Sequence, residues 1–234
     1  MTEPVPTLVT LHLWRVPPRA VPAAVARMAL DRRRVRRTPG LGFAKLLGTG
    51  DGRTFTARDA DLTRWGLLAT WTDPEAARRF RTGPVAASWG RLAEESFRAD
   101  LRPTSSRGSW SGRQPFGDPV PQREHGPVAA LTRARLRPRR AVSFWRAVPP
   151  VSADLHTHPG LRAAVGIGEA PVGLQGTFSL WDSATALRTF AHRSPAHVEV
   201  IRRTAEVDWY AEELFARFAV LATEGTLDGV EPLA

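Results

Sequence analysis

An internal duplication constrains the fold of this 234-residue chain more than any other feature of its sequence. The matched segments are, in chain order, Pro17–Val21 with Pro138–Val142 (offset 121), Thr38–Leu41 with His158–Leu161 (120), Trp71 with Trp181 (110), Phe80 with Phe190 (110), Pro84 with Pro195 (111) and Glu94-Glu95 with Glu212-Glu213 (118). The offset changes only where a loop could change length. The sequence therefore predicts two diverged copies of one structural unit.

Each copy shows the same succession of predicted elements. A strand is followed by a helix, two strands, helical segments that begin at an Asp cap or a proline, and a last strand. The predicted strands are Thr7–Val16, Leu41–Leu47, Trp65–Trp71 and Phe97–Leu101, then Val128–Leu136, Leu161–Ile167, Gly176–Trp181 and Leu214–Leu221. This βαββαβ order is the ferredoxin-like unit. Two such sheets bury their free faces together, which predicts an α+β fold, a pseudo-symmetric dimeric α+β barrel within one chain.

The predicted boundaries divide the chain into three parts. Residues 1–101 form the N-terminal ferredoxin-like half, residues 102–126 a polar linker rich in proline and glycine, and residues 127–222 the C-terminal half. Trp110 and Phe116 suggest that the linker packs on the surface in places. The tail beyond Glu224 is expected to be loosely held.

The composition excludes several classes of protein. The chain has no cysteine, which excludes disulfides, iron–sulfur clusters and thiolate ligands for zinc or haem. It has neither a long apolar run nor a signal-peptide pattern, so a cytoplasmic location is expected.

The net charge of +10 comes from 33 basic and 23 acidic residues. Of the basic residues only Lys45 is lysine, and this skew towards arginine is typical of a GC-rich genome. No nucleic-acid-binding signature accompanies the charge, so no specific nucleic-acid partner is predicted. The basic run Asp31–Arg37 is interpreted as a solvated helix end, with an anionic partner or a peripheral membrane contact as the alternative. A homo-oligomer also stays open.

Among the six histidines, His197 is the strongest ligand candidate. It shares a helical stripe with Val200, Ile201 and Thr204, so it is predicted to face inward. The repeat places Ala86 opposite it, as a ligand needed in only one half would require. The alternative is a core histidine that donates to a backbone carbonyl. His12 on the first strand is replaced by Arg133 in the other copy, according to the alignment.

The glycines near the strand ends have two interpretations. The run Gly48–Gly52 lacks the spacing of a phosphate-binding loop and is predicted to be a turn. Gly166 and Gly168 end a strand of the second half, where glycine marks either the close approach of a ligand or a β-bulge.

Several longer segments carry a family resemblance. They are Pro159–Leu161, Gly166–Trp181, His197 with Ile201–Thr204, Trp209–Phe215, Arg32-Arg33, Thr38–Leu41 and Phe43–Gly50. Together they resemble the spheroidene monooxygenase family of carotenoid-tailoring enzymes, over nearly the whole chain. The resemblance implies a haem-dependent oxygenase, and the predicted barrel is similar to chlorite dismutases and aldoxime dehydratases, in which a helix-borne histidine holds haem in one half. It follows that His197 would be the axial ligand of haem b iron, with His192 as the second candidate.

The same resemblance suggests roles for other residues. Arg162, Arg193, Arg202 and Arg203 are candidates to pair with haem propionates, although surface positions are the alternative. Lys45 and Tyr210 are candidate catalytic groups on the distal side. The implied partners are a hydrophobic secondary metabolite, O₂ and an electron donor such as ferredoxin. Three other functions stay open: a haem enzyme of the aldoxime dehydratase or chlorite dismutase type, a cofactor-free barrel monooxygenase, and a non-enzymatic haem binder.

Overall fold

A computed structural model describes residues 4–51, 59–122, 125–169, 174–193 and 195–234. At residues 148, 174, 175, 193, 195–198, 201 and 205 it describes the backbone only. The strands are β1 (Leu8–Arg15), β2 (Leu41–Gly50), β3 (Ala60–Trp71), β4 (Glu95–Gly108), β5 (Val128–Leu136), β6 (Leu161–Gly168), β7 (Leu174–Trp181) and β8 (Tyr210–Gly225). The α-helices are α1 (Val21–Arg36), α2 (Pro74–Thr82), α3 (Pro84–Gly90), α4 (Ala141–Thr157), α5 (Ala184–Arg193) and α6 (Pro195–Val207). The fold is therefore α+β, as the sequence predicts.

The eight strands close into one antiparallel barrel with the order β1-β3-β2-β6-β7-β5-β8-β4. Strands β1 to β4 form one contiguous half of the barrel, and strands β5 to β8 form the other. The halves meet along β4 and β8, which pair from Phe97 opposite Gly225 to Gly108 opposite Leu214. They meet again along a short seam between β2 and β6. At this seam only residues 48–50 of β2 pair with residues 166–168 of β6, so the barrel is closed there by three residues of each strand.

The side chains pack in an interior core and two outer layers. Residues that alternate along the strands, such as Leu11, Phe97 and Leu131, fill the barrel interior. The helices α1 to α3 cover the outer face of the N-terminal half around Trp14, Trp71 and Phe80. The helices α4 to α6 cover the outer face of the C-terminal half in two smaller clusters. Any ligand site on the outer face is thus enclosed between sheet and helices.

The segment that follows the first half differs from its prediction. Strand β4 continues to Gly108, so it includes the start of the predicted linker. Trp110 and Phe116 are 1% and 0% exposed and pack in the barrel interior, so this part of the predicted linker is enclosed rather than packed on the surface. Long pairing with β8 extends the strand, and the open barrel end attracts the two aromatic rings because their burial is favourable.

The C-terminal tail is also better anchored than the sequence suggests. Thr226 donates its backbone N–H to Ser96, and Leu227 is buried in the barrel interior. Asp228 forms ion pairs with Arg15, at 2.5 Å, and with Arg64. The expectation of a loosely held tail is therefore wrong, because the tail closes one end of the barrel.

The strand registers correct one aligned position. Leu8 lies opposite Trp71 across β1 and β3, and Val128 lies opposite Trp181 across β5 and β7. The residue numbers of corresponding positions in β1 and β5 therefore differ by 120. The sequence match of Pro17 with Pro138, at an offset of 121, is displaced from this register by one residue. His12 corresponds to Thr132 and not to Arg133.

Within the described residues, no helix is long and apolar enough to cross a membrane.

Candidate functional site

A network of charged side chains closes the end of the barrel next to the segment after β4. Lys45 of β2 forms an ion pair with Glu169, with 2.5 Å between Nζ and Oε2, and donates to Ser111 Oγ at 2.7 Å. Arg133 of β5 pairs with the same Glu169 at 3.2 Å and with Glu212 of β8. Lys45 is also 5.6 Å from the centre of the Phe43 ring. Four charges from four places in the sequence thus neutralise one another.

One acidic member of this network, Glu212, is held ionised. Burial raises the pKa of Glu212, but hydrogen bonds from the Gly112 N–H and from Arg133 outweigh it and lower the pKa to about 2. The Trp110 indole N–H donates to Glu169. Only 4% of the Arg133 side chain is exposed, and its Nε has no partner in the described part of the chain. The network fixes the segment after β4 to the barrel.

The sequence contains a signal for this closure that the prediction missed. Gly108–Gly112 reads GSWSG, and Gly225–Gly229 reads GTLDG at an offset of 117. Positive φ angles recur at equivalent places, for example 56° at Ser111 and 57° at Asp228. Glu212 accepts from the first loop and Glu95 from the second, with 2.7 Å to Gly112 N and 2.6 Å to Gly229 N. Each loop therefore plugs one end of the barrel.

The outer layer of the C-terminal half contains the second group of candidate residues. Tyr210 packs edge-on against Phe144 at 5.9 Å between ring centroids, and burial raises its pKa to about 12 despite a hydrogen bond with Thr204. Arg203 lies over the Trp209 ring at 5.6 Å. The Trp209 indole donates to Ser143 at 2.8 Å. Tyr210 is thus a neutral phenol at physiological pH.

The two candidate catalytic residues, Lys45 and Tyr210, do not lie together. Lys45 points into the barrel interior, whereas Tyr210 contacts the helices on the outer face of the sheet. The barrel wall separates the two side chains. Only Tyr210 shares a layer with helix α6, which carries residue 197.

Two of the sequence-predicted ligand residues have side chains outside the described part of the structure. Residue 197 lies in the first turn of α6, and residue 193 ends α5. From Pro84 and Pro195, which begin α3 and α6, residue 197 corresponds to Ala86. Ala86 is buried against the sheet in its own half. Among the described residues, no cluster of three or more His, Asp or Glu is arranged to hold a metal ion.

Two of the candidate arginines are engaged at the surface. Arg162 pairs with Asp182, and half of its side chain is exposed. Arg202 pairs with Glu199 at 2.6 Å and with Glu206 along the outer side of α6, which raises its pKa. Of the arginines whose side chains are described, only Arg203 lies against the aromatic cluster of this layer.

Gly166 and Gly168 have a structural position. They pair with Gly50 and Gly48 where β6 meets β2, so four glycines form the seam between the halves. A Cβ atom at Gly50 would lie 2.5 Å from the backbone oxygen of Asp59. The glycines of β2 are part of a strand, which corrects the prediction of a turn there.

The two outer layers differ in how they are filled. In the N-terminal half, Trp14 stacks on Trp89 with 5.3 Å between ring centroids, and the centroids of Trp65 and Trp89 are 6.4 Å apart. All three side chains are buried. Trp14 pairs with Trp65 across the strands, and the corresponding pair in the other half is Ala134 with Gln175. By the same strand registers, Leu46 corresponds to Gly166 and Leu67 to Thr177. Counting from the first residues of α3 and α6, Trp89 corresponds to Val200.

This exchange places smaller residues on the C-terminal sheet face. Ala134 and Thr177 are partly exposed, whereas Trp14 and Leu67 at the corresponding positions are 4% and 0% exposed. Each indole of the N-terminal layer buries roughly 150–250 Å², which is more than Ala134 or Val200 can bury at the corresponding position. The sequence signal for this difference was present in the two halves, but it required the correct register of β1 and β5.

One further titratable residue is buried in the N-terminal half. His12 stacks on Trp14 with 5.3 Å between ring centroids and packs edge-on against Phe80 with 6.0 Å between ring centroids. Burial, with Arg98 and Arg81 nearby, lowers its pKa to about 3. It is therefore a neutral core residue at physiological pH.

Comparison with known proteins supplies the family. The chain is 37% identical to the spheroidene monooxygenase of Rhodobacter capsulatus over 222 residues, which cover 92% of this chain and 90% of the relative. It is 42% identical to that of Rubrivivax gelatinosus, over 82% of this chain and 73% of the relative. No family model matches the chain.

The fold has solved neighbours. A crystal structure of aldoxime dehydratase in complex with butyraldoxime superposes with a TM-score of 0.62 at 12% identity, covering 91% of this chain and 79% of the other. At this identity the likeness concerns the fold alone. The relatives in sequence carry the assignment, and by their identity and coverage the chain belongs to the spheroidene monooxygenase family.

Proposed function

We propose that this chain is a haem-dependent monooxygenase that binds haem b between the C-terminal sheet and helices α4 and α6, with His197 as the axial ligand of the iron. The membership of the family supports a monooxygenase. The observation that carries the haem site is the exchange of Trp14, Trp65 and Trp89 for Ala134, Gln175 and Val200.

The proposal includes a duplication of one unit. Each half has the order strand, helix, two strands, two helices, strand, and each begins its first strand opposite a tryptophan of its third. The loops that close the two ends of the barrel share a glycine pattern. A duplicated unit could bind a cofactor in both halves, but in the N-terminal half the indoles occupy the corresponding space. One haem per chain follows.

The described residues of the C-terminal layer fit a flat, largely apolar cofactor with acidic edges. The layer is lined by aromatic and aliphatic groups that include Phe144, Trp209 and Val200. The buried Trp145 Nε1 has no hydrogen-bond partner among the described residues, so a donor is available there. Arg203, which lies against Trp209, is a described cation that would pair with a propionate.

The chain's own residues have separable tasks in this site. Haem ligated by a neutral imidazole binds and activates dioxygen. Residue 197 would hold the iron from the first turn of α6, at the position where the other half has the buried Ala86. Tyr210 keeps its proton because burial raises its pKa to about 12, so it would line the site as a neutral phenol that is hydrogen-bonded to Thr204. The apolar lining excludes water.

The substrate is proposed to be a hydrophobic polyene. The relatives are named for their action on spheroidene. A carotenoid substrate for this chain is consistent with a site lined by aromatic and aliphatic side chains. The electron donor would reduce the iron from outside, as a ferredoxin does for other oxygenases.

The test is the spectrum of the purified protein. Wild-type protein produced with a haem precursor should show a Soret band and about one haem per chain. His197→Ala should lose most of the band while its circular dichroism is unchanged, because alanine occupies the corresponding position 86. Added imidazole should restore part of the band. His192→Ala is the matched control, since residue 192 is exposed at the end of α5.

The same preparation separates the alternative functions. A wild-type protein without bound haem that still oxidises a substrate would indicate a cofactor-free monooxygenase and contradict the proposal. A haem protein that takes no electrons and turns over no polyene would be a binder. Normal haem content in His197→Ala would place the axial ligand elsewhere.

A further inference from the structure

Helix α1 exposes a face of unusual composition. Its 16 residues begin with apolar positions and end in arginines. The exposed residues of the helix are Pro22, Ala23, Val25, Ala26, Ala29, Leu30, Arg32, Arg33, Arg34 and Arg36. This face contains no acidic and no uncharged polar side chain. The outer side of a helix that contacts only water normally carries acidic and uncharged polar residues as well.

The apolar part of the face is well exposed. Leu30 is 64% exposed and Val25 is 51% exposed, and they are among the most exposed large hydrophobic residues of the described chain. The helix is held from its other side, where Ala24 and Val35 are buried against the N-terminal sheet. The apolar face is thus presented outward by a firmly packed helix.

The cationic part of the face lacks compensation. Arg32, Arg33, Arg36 and Arg37 form no ion pair with any other described residue, whereas Arg34 pairs with Asp31 at 3.0 Å. Favourable interaction with the helix dipole explains one or two cations in a last turn, but it does not explain the exposed leucine and valine beside them. Apolar groups next to uncompensated arginines are typical of a helix that lies in a membrane interface.

We propose that the exposed face of α1 docks the protein on the surface of an anionic lipid membrane. Arg33 and Arg37, which follow Leu30 on the same side of the helix, would contact lipid phosphates, and Leu30 would enter the boundary of the acyl chains. A nucleic acid would use the arginines but would gain nothing from the apolar side chain of Leu30. The proposal rests on α1 alone and does not depend on haem binding.

The test is binding to vesicles of phosphatidylcholine, with and without phosphatidylglycerol. The full-length protein should bind the anionic vesicles and scarcely bind the neutral ones. Arg33→Gln/Arg37→Gln should weaken binding by about tenfold to thirtyfold, since each arginine near a charged surface contributes about 1 kcal/mol. Arg91→Gln/Arg217→Gln removes the same charge from two exposed positions elsewhere and should have little effect.

A second pair of variants separates a membrane from other anionic partners. Leu30→Ser should weaken vesicle binding severalfold and leave the binding of duplex DNA unchanged, and the apolar change Leu30→Met should leave both unchanged. The proposal is overturned if the protein binds both kinds of vesicle equally, if it binds neither, or if Leu30→Ser and the two arginine controls behave alike. Far-ultraviolet circular dichroism establishes that each variant is folded.

Discussion

Filling the space proposed for haem in the C-terminal half gives the sharpest test of the site. The substitution Ala134→Trp places an indole where the N-terminal half has Trp14, on a sheet face whose Ala134 and Thr177 are partly exposed. Burial of an indole removes about 150–250 Å² from water, which at about 25 cal/mol per Å² is an upper limit of roughly 4–6 kcal/mol. Lost side-chain freedom and imperfect packing reduce this gain in stability, so Ala134→Trp should stabilise the haem-free protein by about 1–3 kcal/mol.

The sign of this change distinguishes an open layer from a packed one. In a well-packed layer, the added indole would cost about 1–3 kcal/mol. The assay is thermal unfolding of haem-free protein, in which the expected stabilisation raises Tm by about 3–10 °C for a chain of this size. The same variant should take up less than a tenth of the haem of the wild type, as measured by the Soret band.

A matched control uses a buried alanine of the other half. Ala69 is 0% exposed on the outer face of β3, so Ala69→Trp should lower the free energy of unfolding by about 1–3 kcal/mol or more and leave haem uptake of the folded fraction intact. Destabilisation of haem-free Ala134→Trp to the same degree would show that no space exists. Normal haem uptake by Ala134→Trp would place the haem elsewhere.

Three further predictions concern the buried charges and the neutral histidine. Glu212→Gln should destabilise the protein by about 3–5 kcal/mol in urea unfolding, because it leaves Arg133 buried with only Glu169 as a counter-charge, and a loss below 1 kcal/mol would mean that the network is solvated. Lys45→Met should lower stability by about 1–3 kcal/mol and leave the haem spectrum unchanged, since Lys45 faces the barrel interior; a shifted spectrum would instead support a distal role. The pKa of His12 is about 3 in the folded protein and 6.5 for an unperturbed imidazole, so between these two pH values only the unfolded chain binds a proton at His12. The free energy of unfolding should therefore fall by about 1.4 kcal/mol per pH unit on acidification across this range. His12→Phe should show a smaller decline over the same range, and equal slopes would contradict the burial of a neutral imidazole.

Local sequence determined the elements of this fold. Pro39-Gly40 ends α1 before β2, where Gly40 has a φ of 77° that favours glycine. Asp73 accepts from the Glu75 N–H and begins α2, as a capping aspartate does. Trp71 and Trp181 recur because each third strand ends at a buried position beneath helices. These features depend on neighbours in the chain, so the order of strands and helices could be predicted.

Local sequence also directed attention to α6, but it could not define the surroundings of residue 197. The repeat supplied Ala86 as its counterpart, while a one-residue slip in β1 concealed the exchange of Trp14 for Ala134. A register error of one residue moves every side chain to the other face of a strand. The exchange of residues therefore became visible only when the pairing of the strands was known.

Tertiary structure alone decided how the barrel ends are closed. Lys45, Arg133, Glu169 and Glu212 are far apart in the sequence and come from both halves, and each charge is tolerated only because the others lie beside it. Trp110 enters the interior because the pairing of β4 with β8 delivers it to an open end that water would otherwise fill. Such contacts depend on closure of the whole sheet, since the free energy of burying a charge or a ring is set by everything that surrounds it.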